Sequence, residues 1–163
     1  MTTLDDKDFE LSMQIVFERE CPGGDTKRCY GTVADDPGGE TNMGISKRQY
    51  PNEDIKNLTV ERAKQLYYKD YWLKFGCEKL RWPMNLLLFD TSVNMHPTIV
   101  EGLRSSSKDW MDFLLRRIYQ YALIAMKKKN GRYPMLKFLP GWIVRVYRVY
   151  RYMRTKTEEL VTK

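Results

Sequence analysis

The sequence predicts a mainly α single domain, and three observations carry that expectation. Apolar residues recur at three- and four-residue spacing through most of the 163-residue chain. One region alone, residues 21–44, breaks the pattern; it is rich in Gly, Asp and Thr and carries two prolines. No internal repeat, low-complexity tract or Pro/Gly/Ser linker divides the chain. A hydrophobic content of 42% with 13% aromatics is globular, and this length suits one core better than two.

Taken in order, Phe9, Met13, Val16 and Phe17 line one face of a helix over roughly 6–20. Residues 21–44 read as loop with a short hairpin. Thr59 is a candidate N-cap, with Glu61 in the first turn, for a helix over 60–72 that buries Ala63, Leu66, Tyr67 and Tyr71. Pro83 suits the first turn of a helix over 83–95, whose LLLFDTSV core reads as buried on most sides. Ser106 with Asp109 resembles a capping box for a helix over 107–129, ended by Asn130-Gly131. A last helix follows Pro140-Gly141 and carries WIVRVYRVYRYM.

Composition removes several classes of function. No apolar run reaches the roughly 18 residues needed to span a bilayer. The N-terminal MTTLDDKDFE is acidic and polar, unlike a secretory signal, so delivery outside the cytoplasm would need another route. No Cys/His cluster has metal-ligand spacing, and His96 beside a proline reads as a turn residue; neither metal nor cofactor is expected. Cys21 and Cys29 flank PGGDTKR and can bridge it in an oxidising compartment; in a reducing one all three thiols stay free, and Cys77 is left over either way. Residues 104–163 carry 15 Lys/Arg against 4 Asp/Glu, whereas 1–103 carry 13 against 17. Such a basic third suits a polyanionic partner. The lysines of KKKNGR (127–132) sit at a helix C-terminus, where cations are favourable, and match no recognition motif, so no nucleic acid is expected.

The sharpest local feature is Glu20. At 100° per residue Phe9, Met13 and Val16 fall within about 40° of it, while Glu18 lies opposite. A carboxylate that continues an apolar stripe loses hydration, which favours its protonated form and suits a general acid. The competing reading is a frayed last turn with Glu20 in water. Asp35, Asp36, Glu40 and Thr41 follow within DDPGGETNMGIS, whose glycines allow close backbone approach to a ligand. Glycoside cleavage uses one protonated carboxyl and a second group that orients water or stabilises an oxocarbenium-like centre.

YGTVADDPGGETNMGISKRQYP (30–51), DIKNLTVERAKQLYYKDYW (54–72) and FDTSVN (89–94) together resemble glycoside hydrolase family 108, the lysozyme-like N-acetylmuramidases of bacteriophages and their hosts. Glu20, Gly23-Gly24 and Tyr30 follow the order of the family's opening pattern, and KFLPGWIVRV (137–146) is similar to its closing Gly-Trp signature. The resemblance implies a mainly α, lysozyme-like single domain over 1–163, with a catalytic part over about 1–103 and a basic helical part over about 104–163. It implies cleavage of the β-1,4 bond between N-acetylmuramic acid and N-acetylglucosamine, with Glu20 as the acid. Thr41 falls where a Thr near the attacking water is frequent, and Asp35, six residues earlier, is carried over as a water-orienting or stabilising carboxylate. Tyr30, Glu40, Asn42 and Asn94 are the candidates for substrate contact. Asp90, inside an apolar helix, is expected to make buried structural hydrogen bonds with Asn94 or nearby backbone.

The chain departs from the family where Cys21-Pro22 separate the Glu from Gly-Gly and about five extra residues precede Tyr30. Met43 stands where an aromatic is common, His96-Pro97 replaces a glycine-containing turn, and Val144 takes a place often held by Asn. The expected mechanism is inverting hydrolysis, with retention through a covalent intermediate open as well. The expected setting is a monomeric phage or prophage lysis enzyme, made in the host cytoplasm and acting on peptidoglycan after holin-type release, or carried in a virion. A catalytically idle wall-binding or virion protein of the same fold is the competing function. Arg145, Arg148, Arg151 and Arg154 offer either a solvated basic face or a surface for anionic membrane or lipopolysaccharide.

Overall fold

A computed structural model describes residues 6–24, 26–32 and 39–161. The chain divides into two compact units, 1–79 and 80–163. The helices of 84–106 pack with the C-terminal helices.

In the first unit, α1 (Lys7–Glu20) begins at Asp6, whose Oδ1 accepts the Phe9 N–H at 2.9 Å while Oδ2 accepts the Trp72 indole N–H at 2.8 Å. One side chain thus caps the helix and fixes a buried indole. Phe9, Met13, Ile15 and Val16 face inward, and Phe9 packs edge-on against Tyr68 and Trp72 at 4.9 and 5.6 Å between centroids. A short turn at Pro22–Gly24 leads to α2 (Thr26–Cys29). Cys21 and Cys29 are joined by a disulfide across that loop, and Cys77 is buried and outside any disulfide. Three short strands follow, β1 (Gly31–Thr32), β2 (Glu40–Asn42) and β3 (Ile45–Ser46), paired antiparallel in that order. Thr41 faces Gly31 on one side and Ser46 on the other. Met43 and Gly44 join β2 to β3 with φ of 51° and 76°, the two left-handed residues of a tight hairpin turn. α3 (Val60–Tyr67) starts at Thr59, whose Oγ1 accepts the Arg62 N–H at 3.1 Å, as its sequence predicts. It continues as a wider π-helical turn over Tyr68–Leu73. That widening shifts the register, so Trp72 becomes fully buried and Tyr71 is left half-exposed.

In the second unit, α4 (Met84–Asn94) is buried on every side from Asn85 to Ser92. α5 (Pro97–Ser106) is a helix that the sequence reading did not separate; Pro97 occupies its first turn and His96 Nδ1 accepts the Thr98 N–H at 3.4 Å. α6 (Trp110–Ala125) is capped by Asp109, which accepts the Asp112 N–H at 2.8 Å, while the Asp112 carboxylate accepts the Lys108 N–H at 3.0 Å. The capping pair is therefore Asp109 and Asp112 rather than Ser106 and Asp109. α6 ends at Met126, and Asn130-Gly131 instead form a left-handed turn between Lys129 and Arg132. α7 (Leu139–Val161) takes Pro140 into its first turn and buries Val146, Val149 and Met153.

Asp90 anchors this unit. It is fully buried, and its Oδ2 lies 2.7 Å from Arg117 Nη2 and its Oδ1 2.9 Å from Arg145 Nη2. Burial raises its pKa, but the two guanidiniums outweigh that and hold the carboxyl down at about 2. The expected four-arginine face of α7 is corrected accordingly. Steps of three residues turn 300° each, which rotates Arg145 inward onto Asp90, while Arg154 pairs with Glu158 at 3.0 Å. Only Arg148 and Arg151 remain beside one another, along a shallow groove with Val144, Tyr147, Tyr152 and Thr155.

Candidate active site

Glu20 is the last residue of α1 and is half-buried. Its placement follows from Gly44 in the hairpin turn. A Cβ on Gly44 would lie 2.8 Å from Glu20 Oε2 and 3.1 Å from Glu20 Cγ, and would strike the Tyr67 hydroxyl still more closely. The carboxylate and the phenol therefore crowd the same small volume, and only a residue without a side chain fits between them. That same residue holds a left-handed φ of 76°, which glycine adopts at little cost.

The turn is held from the other side. The Tyr67 hydroxyl donates to the Met43 carbonyl at 3.0 Å, a buried bond from α3 to the hairpin. This bond steadies Met43 in a left-handed conformation that a non-glycine residue seldom takes. Tyr71, one turn on, stacks at a tilt on Tyr67 at 5.5 Å and accepts from the Gln49 amide at 2.7 Å. Burial is the main cause raising the Tyr71 phenol, with the Asp70 charge and, less, the Glu20 charge adding to it; burial likewise pushes Tyr50 up. Both phenols stay neutral across the ordinary pH range, so they serve as hydrogen-bonding groups.

The other sequence-named residues divide three ways. Thr41 lies on β2 two residues before the turn that touches Glu20, and its hydroxyl donates to the Gly31 carbonyl at a long 3.4 Å, a weak tether. Tyr30 donates to Glu40 Oε2 at 3.0 Å, and this contact is the main cause of its raised pKa. These two residues form a polar pair, Tyr30 just before β1 and Glu40 on β2, both half-exposed. Asn42 is buried, and its amide donates to the Ile55 carbonyl at 3.0 Å, pinning the strand to the 50–58 loop. Asn94 belongs to the second unit, where its amide donates to the Asp90 carbonyl at 2.8 Å at the end of α4. Asp35, with Asp36, lies outside the described residues.

The sequence does not mark Gly44, Met43 or Tyr67 as residues of the site. Tyr67 fell on the buried face of α3, and a buried phenol must find an acceptor; that requirement was the available signal. A groove of about 330 Å3 also runs along α1, lined by Met13, Phe17, Cys21, Gly23 and Lys64 among others, and does not take in Glu20.

A mainly α chain whose first helix delivers a half-buried carboxylate to a small antiparallel hairpin is built on lysozyme-like lines. The family model described as Glycosyl hydrolase 108 matches residues 13–95, which takes in α1, the hairpin, α3 and α4. The chain belongs to glycosyl hydrolase family 108. No curated protein and no solved structure matches it.

Proposed function

We propose that this hydrolase cleaves the β-1,4 bond between N-acetylmuramic acid and N-acetylglucosamine in bacterial peptidoglycan, with Glu20 as general acid. The observation that carries the reading is the close contact of the Glu20 carboxylate with the Gly44 turn, inside the glycine-rich segment of the family match. In this mechanism Glu20 gives its proton to the glycosidic oxygen as the bond to the anomeric carbon breaks. Water held by Thr41 adds to that carbon from the opposite face and gives its proton to the Asp35 carboxylate, which acts as the general base. A single displacement of this kind inverts the anomeric centre. Tyr30, Glu40 and the neutral phenol of Tyr71 are the groups we assign to sugar hydroxyls. Asn42 and Asn94 are committed to the backbone carbonyls of Ile55 and Asp90, and we assign them no sugar contact. The setting we infer is lysis of, or entry through, a bacterial cell wall by a phage-type enzyme.

General acid catalysis contributes about 10²–10⁴ in rate. Glu20→Gln is therefore expected to lower release of reducing ends from purified peptidoglycan by at least about 10²-fold, with thermal unfolding unchanged. Mass spectrometry of the digest should show muropeptides ending in N-acetylmuramic acid from the wild type and almost none from the variant. Wild-type-like turnover by Glu20→Gln rejects the assignment. Absence of any released sugar from the wild type favours an idle wall-binding protein instead.

A further inference from the structure

α6 is apolar on two sides. Its inner side, Phe113, Leu114, Arg117, Tyr121 and Ala125, packs into the second unit. Its outer side presents Met111, Leu115, Tyr119, Leu123 and Met126, all exposed, with Tyr119 at 62% and Leu115 at 59%. Their spacing of four, four, four and three residues keeps them within an arc of about 120°. Isolated exposed apolar residues are ordinary, but five in a file down one helix mark a surface that meets something.

The charges around the file say what it meets. Asp112, the acidic residue that borders it, is neutralised by Arg116 at 3.0 Å. The file then ends at Met126 in Lys127, Lys128 and Lys129, with Arg132 across the left-handed turn, all exposed. Beyond the turn the basic and aromatic residues alternate: the Lys128 ammonium lies 5.4 Å over the Tyr133 ring and that of Lys137 lies 5.0 Å over Phe138. Residues 80–163 as a whole carry 16 Lys/Arg against 6 Asp/Glu. An apolar file continued by lysines and interfacial aromatics suits a bilayer whose headgroups are anionic and whose acyl boundary is shallow. A protein partner fits less well, because protein interfaces are depleted in lysine at their centres. No helix among the described residues is long and apolar enough to cross a membrane, so the contact lies in the interface plane.

The geometry points to the outer face of α6, with the 127–132 turn, as a docking surface for an anionic phospholipid bilayer. Leu115, Tyr119 and Leu123 enter the headgroup–acyl boundary while the lysines meet phosphates. This assignment stands apart from the glycosidic site, since it uses no residue of that site.

The test is co-sedimentation of the full chain with vesicles of phosphatidylglycerol mixed with phosphatidylcholine, against phosphatidylcholine alone. The expected result is binding to the anionic vesicles that weakens as salt is raised, and little binding to the neutral ones. Charge reversal by Lys127→Glu, Lys128→Glu and Lys129→Glu together should weaken partitioning at least about 100-fold, since each basic group near such a surface contributes about a factor of five. Leu115→Gln with Leu123→Gln should also abolish most binding while leaving thermal unfolding unchanged, because both side chains are exposed. No binding to anionic vesicles by the wild type overturns the proposal, as does binding that survives both sets of substitutions. A concentration-dependent dimer without lipid that the Leu115→Gln, Leu123→Gln variant dissolves overturns it too, making the occupant a second copy. Peptidoglycan turnover, measured in parallel, is expected to be unchanged in these variants, so failure here and failure of the hydrolase reading are told apart.

Discussion

Replacing Gly44 by alanine tests the site more sharply than removing Glu20 does, because the added methyl group reacts with nothing. The substitution has two costs that can be separated. The first is conformational: alanine at a φ of 76° costs about 1–2 kcal/mol in the left-handed region. The second is steric: the new Cβ meets Glu20 Oε2 at 2.8 Å, Glu20 Cγ at 3.1 Å and the Tyr67 hydroxyl closer still. Carbon and oxygen pack comfortably only beyond about 3.4 Å, so the carboxylate must retreat by more than half an ångström, and misplacement of about 1 Å at a reacting centre costs about 10² in rate. Gly39→Ala supplies the control. Gly39 has a similar φ of 68°, yet its Cβ would meet only Lys47 Cβ at 3.8 Å, an ordinary contact. Gly39→Ala should therefore lose about 1–2 kcal/mol of stability, or about 2–8 °C in melting temperature, and Gly44→Ala more, because its steric cost adds to the conformational one. Only Gly44→Ala should lose turnover of purified peptidoglycan, by one to two orders of magnitude. If Gly44→Ala keeps wild-type turnover, or falls no further than Gly39→Ala, the turn does not position the acid.

Tyr67→Phe should cost about 1–3 kcal/mol, the cost of a buried Met43 carbonyl left without its donor, and should partly relieve the crowding in Gly44→Ala; a double-mutant cycle showing no coupling refutes the shared volume. Asp90→Asn leaves two inward-facing guanidiniums without a counter-charge and should destabilise by about 3–5 kcal/mol, read by denaturant unfolding at neutral pH. Because the Asp90 pKa is depressed to about 2 from an ordinary 3.8, its ionisation contributes about 2 kcal/mol that is fully present above about pH 4 and fades as pH falls towards 2. Wild-type stability should drop across that window more steeply than that of Asp90→Asn, and equal slopes would count against the buried pair. Reduction of the Cys21–Cys29 bridge, or Cys21→Ser with Cys29→Ser, reopens a short loop at the end of α1 and should cost about 2–3 kcal/mol in thermal unfolding; insensitivity to reductant would mean the bridge contributes nothing.

Local chemistry made most of the helices legible. Thr59 caps α3 because its hydroxyl reaches the Arg62 N–H, a contact that sequence spacing alone foretells. α4 reads as buried because an unbroken apolar run leaves no wet side. The misreadings have physical causes too. α5 is hidden in the sequence because His96-Pro97 reads as a turn, although proline in the first helical turn is what α5 displays. Ser106 lost the capping role to Asp109 because its hydroxyl bonds back to the Gly102 carbonyl at 2.7 Å within α5. The π-helical turn over Tyr68–Leu73 has no sequence signature of its own; within it, Trp72 donates to the Asp6 carboxylate, 66 residues away in the chain.

The candidate site was half legible for a related reason. A helical wheel finds Glu20 because periodicity is local, and the apolar stripe of α1 does end on it. It cannot find Gly44 or Tyr67, since their importance lies in meeting Glu20 from other elements. DPGGETNMGIS reads as a flexible loop for close ligand approach, and at Gly44 the absent side chain instead makes room for a catalytic candidate and a phenol of the protein itself. Asp90 is structural, as its place in an apolar helix predicts, but its carboxylate pairs with Arg117 of α6 and Arg145 of α7 rather than with Asn94 or nearby backbone, because those partners come from distant segments that local sequence cannot show. Carboxylates are therefore sorted by their neighbours: the acid paired with arginines holds a helix bundle together, and the acid set against Gly44 and Tyr67 is the one we propose as the general acid.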